Sequence, residues 1–158
     1  MKKLCVLTLC IATLSACEAP VLIAASANDA EGVGLSTVTF PAKMLWVSND
    51  GPDRLFSGKM IGSLAGHADF DVTSTDGLQC VGRAEKDGGV TMTCDGGQIT
   101  YRGAPANKAF SGVRYADVGD DLQSAFGWGK GANEDLLRLA IAEQRDIEAA
   151  EARQRNPG

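Results

Sequence analysis

The sequence predicts an all-β fold, a small antiparallel barrel or sandwich laid out as a meander, followed by one C-terminal α-helix. Three observations predict it. Short runs between Leu35 and Trp128 alternate apolar and polar residues with a period of two, as strands with one buried face do. Asp-Gly pairs separate these runs at Asp76-Gly77, Asp87-Gly88 and Asp95-Gly96, and Asp-Gly between alternating runs is a strong hairpin signal. Cys80 and Cys94 both fall on the apolar parity of neighbouring runs.

The central run fixes a register. Ala68, Phe70, Val72 and Ser74 alternate with His67, Asp69, Asp71 and Thr73. Thr75-Asp76-Gly77 reads as a turn, because Asp bonds its local backbone and Gly supplies a positive φ. A three-residue loop there pairs Ser74 with Leu78. It follows that Val72 faces Cys80, Phe70 faces Gly82, Asp69 faces Arg83 and His67 faces Glu85. After Lys86-Asp87-Gly88, Val90, Met92 and Cys94 resume the alternation. A loop centred on Asp87 sets Cys80 directly opposite Cys94. Register and burial thus agree on one cross-strand disulfide, worth about 3 kcal/mol in the chain-entropy model. The turn Asp95-Gly96-Gly97 leads to residues 98–102, with Ile99 and Tyr101 facing inward.

The flanks carry weaker signals. Residues 35–40 and 44–48 read as two strand segments parted by Pro41, and residues 49–53 as a turn. Residues 54–65 read as a strand with Gly58, Met60, Gly62 and Leu64 on one face. Gly66 continues that glycine spacing, which suggests a strongly curved, small barrel. Residues 110–118 form a further strand, and Leu122, Ser124, Phe126 and Trp128 share one face of another. Pro41, Pro52 and Pro105 are expected at turns. Asn133 is a good N-cap, and Glu134 and Asp135 suit the first turn of a helix of about 20 residues. Leu136, Leu137, Leu139, Ala140 and Ile141 make its start apolar nearly all round, so that start should dock on the β domain. Its charged distal half should be solvated.

Residues 1–16 read as a targeting segment. Lys2 and Lys3 precede an apolar run that is shorter than the ~20 residues of a membrane span. The run ends in Leu14-Ser15-Ala16-Cys17, which resembles the lipobox of bacterial lipoproteins. The resemblance covers this segment alone. It implies cleavage before Cys17, diacylglycerol on the Cys17 sulfur and acylation of the new N-terminus. Glu18 at the following position implies, by the rule of enteric bacteria, sorting to the outer membrane. The alternative is an ordinary signal peptide cut after Ala24-Ala25-Ser26-Ala27. Cys5 and Cys10 leave with the signal by either route, so Cys80 and Cys94 remain as the even pair expected of an exported chain. The expected organisation is a lipidated Cys17 with a flexible tether over 17–34, a β domain over 35–131 and a helix over 132–155.

Charge narrows the partners. The chain carries 15 basic and 20 acidic residues, net −5. Removing Lys2 and Lys3 leaves 13 basic residues and a net charge of −7. That balance argues against nucleic acid and against electrostatic attraction to anionic lipid. Membrane attachment would then rest on acyl chains, each buried CH₂ contributing about 0.8 kcal/mol.

Few residues suggest chemistry. His67, Asp69 and Asp71 share one strand face, but neighbours on such a face stand about 7 Å apart, too far for three ligands on one ion. Cross-strand charge pairs with Arg83 and Glu85 explain them better. His67 is the only histidine, and no Gly-x-Ser-x-Gly elbow is present. The acidic turn at 49–53 lacks the spacing of an EF-hand loop. Trp46 and Trp128 suit either a ligand mouth or core packing. No catalytic, metal or cofactor residue is therefore assigned; the assigned sites are the lipidation site Cys17 and the disulfide Cys80–Cys94. The expected function is a non-enzymatic structural or interaction module, held at the outer membrane by lipid and facing the periplasm. Its C-terminal helix is a candidate surface for an envelope protein. The alternative is a small-ligand-binding barrel or a periplasmic protease inhibitor, and a hydrolase ranks last. A packed interior favours the first reading, and a cavity with convergent polar groups favours the others.

Overall fold

Alternating runs become strands here because each can bury one face against the others. In the computed structural model, residues 19–95, 97–103, 109–119 and 121–155 are described. Helix α1 (Ala19–Ser26) and a short β1 (Gly32–Val33) lead into β2 (Thr37–Ser48), β3 (Arg54–Ser63), β4 (His67–Ser74) and β5 (Gln79–Glu85). Then come β6 (Gly89–Cys94), β7 (Gly97–Arg102), β8 (Gly112–Gly119) and β9 (Leu122–Trp128). A 3₁₀ turn (Gly129–Gly131) joins β9 to α2 (Glu134–Arg155). The sheet is antiparallel, in the order β7-β6-β5-β4-β3-β2-β9-β8, with β1 beside β2. Strands β2 to β7 form a meander. β9 then returns to the free edge of β2, and β8 comes round against β7. The result is a nearly closed eight-stranded barrel.

The central register is the one the turns dictate. Val72 pairs with Cys80, Phe70 with Gly82, Asp69 with Arg83 and His67 with Glu85. Cys80 pairs with Cys94, and a disulfide joins them. Gly77 and Gly88 take φ of 90° and 96° in their turns, which Gly adopts without a Cβ clash.

Four expectations are corrected. Residues 35–40 and 44–48 are not two strands, because Pro41 lies inside the single strand β2. Thr39 directs its carbonyl to the β1 side, where it accepts from Glu31. Pro41 has the same parity. Its missing N–H therefore points to the gap between the end of β1 pairing at Thr39 and the start of β9 pairing at Ala42, where a proline costs the ladder nothing. Strand β3 stops at Ser63, so Leu64 and Gly66 belong to the turn rather than to its inward face. Within the expected tether, residues 19–26 form α1 and residues 32–33 form β1. Ala25 is fully buried against the barrel core, which gives that segment the apolar contact a free tether lacks. On α2, only Leu137 and Ile141 of the apolar start are buried, while Leu139 is 52% exposed. One helix can present only one stripe to the barrel. Cys17, Gly96 and Pro105 lie outside the described residues.

Two cores result. The barrel interior takes Phe40, Ala42, Met44 and Trp46 from β2, with Phe56, Met60, Phe70, Val72, Cys80 and Met92. The outer core lies under α2, where Leu137 and Ile141 pack on Leu45 and Ala125. Asn133 caps α2, its Oδ1 accepting from the Asp135 N–H at 2.9 Å. Arg138 bonds Asp53 at 2.7 Å and so ties the helix to the β2–β3 turn.

Leu137→Ala should destabilise the domain by about 2–5 kcal/mol, whereas Leu139→Ala should stay within about 0.5 kcal/mol. Denaturant unfolding of both variants checks this. Cys80→Ser should cost about 2–5 kcal/mol, and thermal unfolding of the native chain should shift downward under reducing conditions by a comparable amount.

Candidate functional site

The barrel interior is graded in size. At the end carrying the β2–β3 and β4–β5 turns, Trp46 packs edge-on to Phe56 with ring centroids 4.8 Å apart, and the Cys80–Cys94 disulfide fills the adjoining space. At the other end the inward positions are small. Gly62 pairs with Ala68, Ala68 with Ala84, and Ala84 with Val90. Val90 in turn pairs with Tyr101. This cross-strand row lines a cavity of about 400 Å³. Phe70, Phe126 and Trp128 form its floor and far wall, and Leu64, Gly66 and Lys86 stand at its rim in the β3–β4 and β5–β6 turns. Behind the Phe70 ring, a glycine is required by packing. A Cβ at Gly82 would lie 2.5 Å from the Phe70 ring and 2.6 Å from the Thr91 carbonyl oxygen, so the Phe70 ring depends on its absence.

The cavity is mostly apolar with a small polar cluster. Arg114 sits opposite Phe126 on β8 and lines the cavity. Its stem runs beside Gly103, and its Nη1 is buried without a hydrogen-bond partner among the described residues. Burial pushes the Arg114 guanidinium below its ordinary value, with Tyr101 and Asp87 opposing that shift. Arginine nonetheless stays cationic at neutral pH. Burial likewise pushes the Tyr101 hydroxyl up, against the pull of the Ser124 hydroxyl and the Arg114 charge. Ser124 Oγ is itself buried and makes no hydrogen bond of normal geometry among the described residues.

The residues singled out in the sequence fall as follows. Asp69 pairs bidentately with Arg83 at 2.7 and 3.1 Å. Asp71 accepts from Gln79 at 2.9 Å. Both are therefore committed to the outer face, and no cluster of three metal-ligating side chains occurs among the described residues. His67 stands at the cavity rim with Ser63 and Glu85. Ser63 Oγ instead accepts from the Ala65 N–H at 3.1 Å, and no hydrogen bond links the three among the described residues. Trp46 is core, whereas Trp128 is both core and cavity wall. The sequence marks neither Arg114 nor Tyr101 as a site residue. The inward parity of Tyr101 was legible, but nothing in the sequence set Arg114 opposite Phe126.

Comparison of the chain with protein-family models, with curated proteins and with solved structures gave no match.

The Arg83 hydrogen bond holds the Asp69 carboxyl below its ordinary value. A depressed folded value means that stability is present above the unfolded pKa, near 3.9, and is lost as pH falls through the lower folded value. Asp69→Asn should therefore remove part of the acid-limb loss below about pH 4 and cost at most about 1 kcal/mol at pH 7, since the pair is half-exposed. Urea unfolding at pH 3 and pH 7 measures both.

Proposed function

We propose that this chain is a lipid-anchored, non-enzymatic barrel of the cell envelope that binds a small, largely apolar ligand in its interior. The carrying observation is the cavity of about 400 Å³ at the small-residue end of the barrel. An eight-stranded barrel is just wide enough to fill its interior with side chains or to hold one small ligand. Here Gly62, Ala68 and Ala84 leave the second option open. A purely structural module has no use for that space, and an unfilled cavity loses dispersion contacts.

Two observations support the lipid anchor. Ala25 is buried in the barrel core. A signal peptide cut after Ala27 would strip Ala25 from that core, whereas a cut before Cys17 retains it. An anchor at Cys17 would also stand close in sequence to α1, whose Ala25 packs on the barrel core. Ile23, Val33, Leu35 and Leu64 are exposed, Leu35 by 98%. Apolar surface of this kind suits contact with acyl chains at a bilayer surface. Outer-membrane sorting through Glu18 belongs to the same reading.

Filling the cavity tests the reading. Trp128 lines it, so an apolar chain bearing bromine should quench tryptophan fluorescence by contact. The full chain in phosphatidylcholine vesicles should be quenched saturably by 11-bromoundecanol. Ala84→Phe, which puts a ring into the cavity, should abolish the saturable part. Equal quenching of both proteins would mean that the chain meets tryptophan only in the bilayer.

A further inference from the structure

Resting on the reading of the cavity as a ligand site, we infer that the ligand is a single-chain carboxylate: its chain lies against the Gly62–Ala68–Ala84 wall and its carboxylate is bound by Arg114. Three observations converge on this class. The first is chemical. The Arg114 side chain lines an otherwise mostly apolar cavity, and its Nη1 is buried without a hydrogen-bond partner among the described residues. A buried donor left unmade is costly. A planar oxyanion offers it two parallel N–H···O bonds, the geometry in which arginine exceeds lysine. Tyr101 also lines the cavity and lies within electrostatic reach of Arg114.

The second observation is size. At roughly 30 Å³ per water-sized group, a cavity of about 400 Å³ takes about a dozen non-hydrogen atoms. That matches one medium-length chain and is too small for a two-chain lipid. The third is the charge around the rim. Lys86 stands there beside Glu85, and Asp87 bonds Arg102 at 3.1 Å close by. The acidic groups offset the cations, so a monoanion is admitted more easily than a phosphate dianion. Arg83, by contrast, is paired with Asp69 on the outer face, so its charge is already compensated.

The test compares headgroups on one chain length. Saturable quenching of tryptophan fluorescence would be titrated with 11-bromoundecanoate, 11-bromoundecanol and 11-bromoundecyl-trimethylammonium, using the full chain in phosphatidylcholine vesicles at pH 8. The acid is expected to bind about tenfold or more tightly than the alcohol, and the ammonium more weakly than both. Arg114→Met should erase the preference for the acid while leaving alcohol binding within about twofold. Arg114→Lys should retain part of the preference, which keeps the test open if the Met variant folds poorly. Equal affinity for acid and alcohol in the native chain, both abolished by Ala84→Phe, would overturn the headgroup assignment and leave the cavity reading standing. Absence of saturable quenching by any of the three would overturn the cavity reading and this inference with it.

Discussion

The pairing of β2 with β9 is the constraint on which the rest of the structure depends. It runs from Ala42 opposite Trp128 to Ser48 opposite Leu122, joining residues more than seventy positions apart. Without it, the β2–β7 meander would be an open sheet with two exposed edges. With it, β2 has β3 on one side and β1 and β9 on the other. Inside and outside are then defined for every strand. Met44 points in and Leu45 points out, yet both are fully buried. The barrel interior covers one face of β2 and α2 covers the other. That explains why residues 44–47, Met-Leu-Trp-Val, form a continuous apolar run where a half-exposed strand would alternate.

The cavity follows from how side-chain volume is distributed along this frame. Large residues gather where the chain turns through Asp53 and Thr75: Trp46, Phe56 and Val72, with the Cys80–Cys94 disulfide, close that end. Small residues gather at the other. Gly62, Ala68 and Ala84 are not scattered; they are successive partners across three strands, so their missing volume adds up in one place. A single alanine among leucines would leave a void its neighbours could relax into. Three small residues in a row, on strands held by ladders at fixed spacing, cannot be compensated by side-chain movement alone. The aromatic end and its covalent cross-link supply rigidity that the emptier end lacks.

The fold was largely legible because its decisive contacts are local. The β4–β5 and β5–β6 hairpins are each set by a short Asp-Gly turn, and turn length fixes register. Parity then placed Cys80 opposite Cys94 with no knowledge of the remaining strands. Legibility failed where the determining partner is distant in sequence. Pro41 reads as a break until the gap between β1 and β9 is known. Ala19–Ser26 reads as a tether until the barrel end that buries Ala25 is present. Leu136 and Leu139 read as core because the sequence does not say which stripe of α2 meets Leu45 and Ala125. For the cavity, the register of Ala68 with Ala84 was within reach. The pairing of Gly62 with Ala68 required the true end of β3, and the facing wall required β8 and β9 to be wrapped round.

The position of Arg114 reconciles its charge with an apolar interior. Full burial of an unpaired guanidinium would be prohibitive. β8 offers a compromise, because it is laddered to β9 on one side and only rests against β7 on the other. Along that seam the Arg114 stem lies beside Gly103, where a Cβ would come within 2.9 Å of its Cδ. Apolar stem and charged head can thus occupy different surroundings, as long cationic side chains do at boundaries. A strand laddered on both sides would have fixed an inward arginine wholly within the packed core. The incomplete closure of the barrel therefore has a chemical consequence: it lets one half-buried cationic side chain line the space that the small residues leave open.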